Sequence, residues 1–320
     1  MDKNIKFSVT VPAYKSQFLK ECIDSILAQT YTNFELIIVN DNSPQDLDTI
    51  VSQYHDVRIR YYKNKVGFGA ENVVGNWNKC LEYATGGFII CMGDDDKLLP
   101  NCLEDYVKLI EIYPTLNLYH TMTEIIDANS EIFNIQESRP ERESMLAMLW
   151  GRLNGRIQYI GDWLFRVSKL RENGGFYFLP YAWSSDFLSS IIASEEGGVA
   201  NTTKPGFQYR RSRITISSSS KNAPGKVIAT DKAYHKICEI IDSDAYEELD
   251  KIYYKLIREV IANKFDIDKS QYMSSSIHHF LFLSKGVKQK WHITNKTILR
   301  ALHYKLSSFL HNLIHTWLFL

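Results

Sequence analysis

The sequence predicts an α/β fold, in which a mostly parallel sheet is flanked by helices and followed by a mainly helical C-terminal region. Two observations predict it. Short apolar runs alternate with helical patterns over roughly the first 115 residues, and from about residue 226 onward the pattern is mostly helical. The 320 residues, 45% of them hydrophobic, are enough for a large core and about two domain-sized units.

The strands and helices of the first part are predicted from apolar spacing. The predicted strands are residues 5–11, 35–39, 57–62 and 87–92. The predicted helices begin at Ser16, at Trp77 and at about Leu103. Strands and helices in this alternation form a parallel sheet covered on both faces, and ligands bind beyond the carboxyl ends of its strands. Two of those ends are acidic, at Asn40-Asp41 and at Asp94-Asp95-Asp96.

The acidic triplet Asp94-Asp95-Asp96 is the sharpest local feature. Three adjacent carboxylates repel one another, so folding them together costs free energy unless a cation is present. A hard divalent ion accepts carboxylate oxygens and also binds phosphates, which makes a metal–diphosphate site one interpretation. A solvated acidic turn is the other. The position at the end of an apolar strand, after Gly93 and before Pro100, favours the metal site.

Several motifs resemble, in order, those of the family 2 glycosyltransferases. They are VTVPAY at 9–14, AQTY at 28–31, FELIIVNDNS at 34–43, EYATGGF at 82–88 and GDDDKLLP at 93–100. The ordered matches cover residues 5–113 and continue more weakly to about residue 217. The resemblance implies a GT-A-like, Rossmann-like fold and inverting transfer of a sugar from a nucleotide-diphospho-sugar, with UDP expected as the nucleotide. It also implies Mn²⁺ or Mg²⁺ as cofactor and a glycan or lipid-linked acceptor of surface or capsular polysaccharide or O-antigen synthesis.

The resemblance also implies a domain organisation and roles for individual residues. Residues 1–115 form the nucleotide-sugar-binding α/β domain, residues 116–224 its acceptor-binding part, and residues 225–320 the helical region. Metal binding falls to Asp95 and Asp96. The donor-binding residues are expected to be Pro12, Ala13 and Tyr14 against the base, Asp41 on its imide, Asp94 near the ribose, and Asn78, Arg210 and Arg213.

Inverting transfer needs a carboxylate that takes the proton of the acceptor hydroxyl. Asp186, in AWSSDFL, matches the family's acidic motif best and is the candidate base. The alternative is that Asp186 only caps a helix beginning at Phe187. Trp163 and Trp183 are candidate platforms for an acceptor sugar, although each is equally expected in the core.

Three departures from the family pattern keep a second function open. Gly93 stands where an Asp is usual, Trp77 where an Arg is usual, and Ser212 where a His is usual in a loop of the form Y-R-x-H. The alternative is therefore a non-catalytic nucleotide-sugar-binding or assembly protein of the same fold.

The charges are balanced overall, with 37 Lys and Arg against 37 Asp and Glu, but they are not mixed. Residues 269–320 carry +7, and residues 1–268 carry 30 basic and 37 acidic residues, a net −7. The tail has an apolar stripe with spacing three or four. Its members are Leu299, Leu302, Leu306, Leu310, Leu313, Trp317 and Leu320. A basic amphipathic helix is typical of contact with an anionic membrane surface.

We therefore expect a cytoplasmic protein, peripheral on the inner face of the cell membrane. Packing of the stripe on the protein itself or on a second copy, in a homo-oligomer, is the alternative. Two observations agree with a cytoplasmic location. The five cysteines are widely spaced without a C-x-x-C pair, and the first residues have no apolar core of signal-peptide length. The folded part of the sequence has no basic patch with interleaved aromatic residues, so we expect no nucleic-acid partner.

Overall fold

The computed structural model describes residues 5–211, 222–242, 246–281 and 283–318, with side chains as far as residue 308. The chain divides into two compact units. Counted along the whole sequence, the first takes Met1–Phe178 and Ser185–Arg213, and the second takes Leu179–Ser184 and Ile214–Leu320. The boundaries predicted at residues 115 and 224 stay predictions.

The first unit is built on one mixed sheet, which has ten strands among the described residues. The strands are β1 (Phe7–Ala13), β2 (Phe34–Asn40), β3 (Ile59–Lys63), β4 (Phe88–Cys91), β5 (Lys97–Leu98), β6 (Leu118–Ile126), β7 (Ile132–Ile135), β8 (Arg142–Glu143), β9 (Trp163–Arg166) and β10 (Val199–Arg210). Their order is β3-β2-β1-β4-β9-β6-β10-β5, with β7 beside β6 and β8 beside β10. Strands β3, β2, β1 and β4 are parallel, as are β6 and β10, and β9 joins the two groups antiparallel to both.

Helices cover this sheet, and apolar side chains on both faces form the core. The helices are α1 (Leu19–Leu27), α2 (Leu47–Ser52), α3 (Val73–Tyr83), α4 (Cys102–Ile112), α5 (Met145–Leu153), α6 (Val167–Glu172) and α7 (Ser185–Ser194), with 3₁₀ turns at Ala70–Asn72 and Ile160–Asp162. Side-chain caps fix several helix starts. Asn72 accepts from the Gly75 N–H and Ser144 from the Ala147 N–H, so each satisfies a backbone donor that the first turn leaves unpaired.

The four predicted strands are confirmed as β1 to β4, and the three predicted helices as α1, α3 and α4. Several boundaries differ from the prediction by one to four residues: the helices predicted from Ser16 and Trp77 begin at Leu19 and Val73. The predicted first strand stops before Pro12, whereas β1 continues to Ala13. The register explains the difference. Strand β4 pairs with β1 only as far as Thr10, so Pro12 lies where β1 has β2 as a partner on one side alone.

The second unit is helical, as predicted for the C-terminal region. Its helices are α8 (Ala223–Ile241), α9 (Glu248–Ser274), α10 (Ile277–Leu281), α11 (Lys285–Lys290) and α12 (Asn295–Leu318), together with a 3₁₀ turn at Pro180–Ala182. A small apolar core includes Val227, Met273, Phe280 and Ala301. Among the described residues, no helix combines the length and the apolar character that crossing a bilayer requires.

Candidate functional site

The acidic turn, defined here as Gly93–Asp96, follows β4 and is largely buried. Asp94 is 5% exposed and Asp96 4%. The backbone N–H groups of Tyr14 and Lys15, just beyond β1, both donate to Asp94 Oδ2 at 2.6 Å. Burial nevertheless raises the pKa of Asp94 to about 6, with the neighbouring Asp95 adding to the effect. The carboxyl ends of β1 and β4 therefore meet at the acidic turn.

Lys15 is a site residue that the sequence analysis missed. Its ammonium Nζ lies 2.6 Å from Asp95 Oδ2 and 3.9 Å from Asp94 Oδ1. The pKa of Lys15 is raised: desolvation lowers it, but the field of Asp95, Asp94 and Asp96 outweighs that effect. Lys15 directly follows the VTVPAY motif, and this adjacency to Tyr14 was the only available signal. A cation therefore lies against the acidic turn in the protein itself.

Gly93 gives the acidic turn its shape. A Cβ added at Gly93 would lie 2.8 Å from Asp96 Oδ2 and 3.0 Å from Asp95 Oδ1. These two carboxylate oxygens therefore approach one point, which any larger residue at position 93 would fill. Glycine at this position, the departure from the family pattern, leaves this space open to the two carboxylates. A pair of converging carboxylate oxygens is a donor set that fits a hard divalent cation.

Arg210 ties β10 to the acidic turn. Its backbone N–H donates to Asp96 Oδ1 at 2.9 Å, and its Nε donates to the Asp95 carbonyl at 2.8 Å. The rest of the guanidinium reaches the Asp127 carbonyl, Ser130 and Glu21, over the ring of Phe18. Burial, and then the field of Asp95, raise the pKa of Asp96 well above its usual range.

The loop of the form Y-R-x-H, expected from Tyr209 onward, is therefore still strand at its first two residues. Tyr209 and Arg210 end β10, and the Arg210 side chain is fully buried. This arrangement makes Arg210 a positioning residue of the acidic turn, and its contact with a diphosphate stays a prediction. Arg213 and Ser212 lie outside the described residues.

Asp41, the residue just after β2, holds the loop that follows β3. Its carboxylate accepts from the backbone N–H of Phe68 at 2.9 Å and of Gly69 at 3.1 Å, and from the Asn64 amide at 3.0 Å. Gly67 has no room for a side chain there, because an added Cβ would lie 2.4 Å from the Asp41 carbonyl oxygen. Asp41 thus orders the segment beside the predicted binding site of the donor's nucleobase.

The other predicted donor residues lie on β1 and α3. Pro12 is partly buried and Ala13 fully buried in β1, and Tyr14 is 47% exposed just after it. Asn78, on α3, accepts from the Phe176 N–H at 2.7 Å and donates to the Phe176 carbonyl at 3.2 Å. Its amide therefore anchors the segment after α6, and donor binding by Asn78 stays a prediction.

Asp186 lies in the first turn of α7, which begins at Ser185 rather than at Phe187. Three residues just before it have positive φ although none is glycine: Tyr181 (60°), Ala182 (53°) and Ser184 (67°). Such conformations are costly and cluster at functional sites. Burial raises the pKa of Asp186 to about 6, against a backbone hydrogen bond from Phe187 and the field of Arg152. This value suits a carboxylate that accepts a proton near neutral pH.

A buried polar cluster around Asp162 was also missed. Asp162 Oδ2 accepts from the Gln136 amide at 2.7 Å and the Tyr159 N–H at 3.0 Å, and burial raises its pKa to about 7. His120 Nε2 lies 3.6 Å from Asp162 Oδ2, and neither ring nitrogen of His120 has a hydrogen-bond partner. No sequence pattern points to this cluster, because its members come from separate strands and turns.

The two candidate acceptor tryptophans differ in exposure. Trp163, in β9, has no exposed surface, and its ring packs against His120 and the Arg139 guanidinium. This burial supports the interpretation of Trp163 as a core residue. Trp183 is partly exposed and, within the second unit, contacts the Tyr272 ring and the Lys226 ammonium. Its contact with a sugar stays a prediction.

Comparison with known proteins shows which family model and which relatives match this sequence. The family model described as "Glycosyl transferase family 2" matches residues 8–174, just over half of the chain. An uncharacterised glycosyltransferase of Rickettsia typhi is 33% identical over 199 residues, which are 59% of this chain and 61% of that protein. The UDP-Glc:alpha-D-GlcNAc-diphosphoundecaprenol beta-1,3-glucosyltransferase WfgD of Escherichia coli is 32% identical over 124 residues, 38% of this chain and 47% of that protein. The chain thus spans less than two thirds of the length of these relatives.

Two solved structures share the fold. The structure of S. aureus TarS 1–349 in complex with UDP-GlcNAc has a TM-score of 0.63 at 17% identity, and the match covers 93% of this chain and 79% of TarS 1–349. The mannosyltransferase PcManGT from Pyrobaculum calidifontis, in complex with GDP-Man and Mn²⁺, has a TM-score of 0.57 at 14% identity, covering 95% and 88%. The predicted GT-A-like α/β fold is confirmed.

Proposed function

Since the chain belongs to glycosyl transferase family 2, we propose that it is an inverting, metal-dependent glycosyltransferase. It transfers a sugar from a nucleotide-diphospho-sugar, with UDP as the nucleotide, to a hydroxyl of a glycan or lipid-linked acceptor. The product belongs to a surface or capsular polysaccharide or an O-antigen. The convergence of Asp95 Oδ1 and Asp96 Oδ2 beside Gly93 is the observation that carries this proposal.

Asp95 and Asp96 would hold Mn²⁺ or Mg²⁺, with Asp94 beside them. When bound, a divalent ion supplies positive charge that stabilises the departing diphosphate. The chain's own contribution is to hold the carboxylates before the donor arrives. Arg210 fixes Asp96, and the N–H groups after β1 fix Asp94, so little reorganisation is needed on binding.

Donor specificity rests on β1 and on the loop held by Asp41. Pro12, Ala13 and Tyr14 would lie against the base, and Asp41 would accept its imide proton through lone pairs not used by the loop amides. TarS was solved with UDP-GlcNAc, and the name of WfgD gives UDP-Glc as its donor. Both support UDP as the nucleotide for this chain.

Asp186 would act as the general base. Its carboxylate takes the proton of the acceptor hydroxyl while that oxygen bonds to the anomeric carbon and the bond to the diphosphate breaks. One displacement inverts the anomeric configuration, so no covalent intermediate is formed on the protein.

The C-terminal helix supports an acceptor at a membrane surface. Within the second unit, Thr297 and Ala301 of α12 are buried and Arg300 pairs with Asp266 of α9 at 2.5 Å. Three leucines of the predicted stripe remain exposed: Leu299 (66%), Leu302 (38%) and Leu306 (57%). The exposed Lys296 and Lys305 add positive charge to this helix. The stripe residues from Leu310 onward lie outside the described side chains.

We therefore assign the exposed leucine stripe to an anionic bilayer, which would place the protein on the inner face of the cell membrane. The full chain should sediment with anionic vesicles, and the triple variant Leu299→Ser, Leu302→Ser, Leu306→Ser should lose most of that binding. A matched control is Leu249→Ser with Ile252→Ser, two exposed apolar residues of α9. Equal vesicle binding by the wild type, the triple variant and the control would contradict membrane binding by the stripe. So would a wild-type dimer that dissociates in the triple variant.

The activity itself is tested by a donor screen. The purified chain is incubated with Mn²⁺ or Mg²⁺, a set of UDP-sugars, GDP-mannose and an undecaprenyl-diphosphate-linked acceptor, and the released nucleotide and product are measured. We expect metal-dependent release with a UDP-sugar and a product of inverted anomeric configuration by NMR. Tight UDP binding without turnover of any donor would instead favour the non-catalytic alternative. Trp77 and Ser212, which differ from the family pattern, are the residues that support that alternative.

A further inference from the structure

A cluster of two histidines and one aspartate lies in the helical second unit, far in sequence from the acidic turn. Asp231 and His235 are one helical turn apart on α8, at positions i and i+4, so both side chains lie on the same helix face. His292 lies in the segment between α11 and α12. Among the described residues, this is the group of histidine, cysteine and acidic side chains whose ligand atoms come within 4.8 Å of one another.

The distances between these ligand atoms match a single bound ion. Asp231 Oδ2 lies 2.9 Å from His292 Nδ1 and 3.8 Å from His235 Nε2, and the two nitrogens are 3.2 Å apart. Ligands at about 2.0–2.1 Å from a tetrahedral zinc ion are about 3.3–3.4 Å from one another. The three separations scatter around that value.

A single proton on His292 Nδ1 serves the other two atoms only as a shared, three-centre bond. His292 Nδ1 carries either one proton or one lone pair, yet it lies at hydrogen-bond distance from both Asp231 Oδ2 and His235 Nε2. If Nδ1 donates to the carboxylate, it has no lone pair left for His235. At 3.8 Å, His235 Nε2 is too far from the carboxylate for a hydrogen bond of its own. One cation that accepts a lone pair from each atom satisfies all three.

The surroundings are those of a built site. The Asp231 carboxylate is 8% exposed and is fixed by the buried Lys269, whose Nζ lies 2.9 Å from Oδ1 and 3.2 Å from the His292 carbonyl. Lys269 therefore uses one carboxylate oxygen and leaves Oδ2 to the imidazoles. The two histidines are about half exposed, so a metal can enter and a fourth position faces solvent.

We propose that Asp231, His235 and His292 bind one Zn²⁺ ion. Two imidazole nitrogens and one carboxylate oxygen form a ligand set that zinc accepts, and water completes the tetrahedron. Bound zinc links α8 to the residues just before α12, the helix with the exposed leucine stripe. The ion therefore stabilises the start of that helix. This site shares no residue with the acidic turn and does not depend on the proposed transferase activity.

The test uses the full chain freed of metal with a chelator. Zinc affinity is measured by competition with a chromophoric chelator, with excess Mg²⁺ present to occupy oxygen-only sites. We expect one zinc equivalent in the wild type, and a loss of at least about tenfold in affinity in His235→Ala and in His292→Ala. Both histidines are exposed enough for their variants to fold, whereas loss of Asp231 would leave Lys269 buried without its partner. His303→Ala, an exposed histidine of α12, is the matched control and should keep the wild-type affinity.

Two further readouts separate a zinc site from a hydrogen-bonded cluster. Co²⁺ should give the intense visible absorption of a tetrahedral ion in the wild type and in His303→Ala, but not in His292→Ala. Zinc should raise the melting temperature of the wild type, and that rise should vanish in His292→Ala. Equal zinc affinity and equal thermal response in the wild type and both cluster variants would overturn the proposal, as would wild-type protein that binds no zinc.

Discussion

The acidic turn and Asp186 are both acidic regions of the first unit, but the structure holds them in different ways. Arg210, Lys15 and the backbone N–H groups after β1 fix the acidic turn from several sides. Asp186 follows a backbone segment with three non-glycine residues at positive φ and lies in the first turn of α7. A carboxylate that binds a cation benefits from being fixed in advance. Burial raises the pKa of Asp94 and of Asp186 alike, to about 6, so the way the carboxylates are held, and not their pKa, distinguishes the two regions. The proposed function gives metal and donor binding to the turn and proton transfer to Asp186.

Replacing Asp186 should have the largest effect. Asp186→Asn keeps the shape of the side chain but removes the proton acceptor, and we expect turnover to fall about 10²–10⁴-fold. Steady-state release of the nucleotide measures this. Glu172→Gln, an exposed carboxylate at the end of α6, serves as control and should leave turnover unchanged. Wild-type turnover in Asp186→Asn would remove Asp186 from the mechanism.

Arg210 should matter for stability more than any surface cation. Arg210→Met removes buried hydrogen bonds to the Asp95 and Asp127 carbonyls and the pair with the half-exposed Glu21, and we expect the free energy of unfolding to fall by about 2–4 kcal/mol. Urea denaturation measures the loss. Arg58→Met breaks the more exposed pair with Asp56 and should cost about 1 kcal/mol or less. Similar losses in both variants would contradict the positioning role.

The pH dependence of turnover and of UDP binding should distinguish Asp186 from the acidic turn. Burial raises the pKa of Asp186 to about 6, so its basic form is present above that pH and is lost as pH falls through it. Turnover should therefore drop about tenfold between pH 7 and pH 5. The pKa of Asp94 is also about 6, and UDP binding over the same range reports the turn alone. A turnover profile that only parallels UDP binding would argue against Asp186 as the titrating group.

Lys15 should have the smallest effect, and in the opposite direction. Its ammonium lies 2.6 Å from Asp95 and competes with any other cation for that carboxylate. Lys15→Met should raise the affinity for Mn²⁺ about fivefold, as judged by titration calorimetry. Lys20→Met, which removes an exposed lysine of α1, should not change it. Weaker Mn²⁺ binding in Lys15→Met would show that Lys15 supports the turn instead of competing with the metal.

The sequence predicted the features that depend on local pattern. Apolar runs located β1 to β4, and the positions of Asp41 and Asp94–Asp96 followed from the strand ends. Lys15 and the Asp162 cluster could not be predicted, because their contacts join segments distant in sequence. For the same reason Arg210 was expected in a loop, although its side chain is buried by Phe18, Asp95 and Asp127 from three other segments. Short strands such as β5 and β8, of two residues each, have too few residues for a period to be seen.

One measurement tests directly whether the acidic turn serves metal and donor binding while Asp186 serves turnover. UDP affinity in the presence of Mn²⁺ is determined by titration calorimetry for the wild type, Asp95→Asn and Asp186→Asn. The account predicts that Asp95→Asn loses most of the metal-dependent affinity, while Asp186→Asn binds UDP like the wild type and yet turns over the donor about 10²–10⁴-fold more slowly. Equal loss of UDP affinity in both variants, or unchanged affinity in Asp95→Asn, would contradict it.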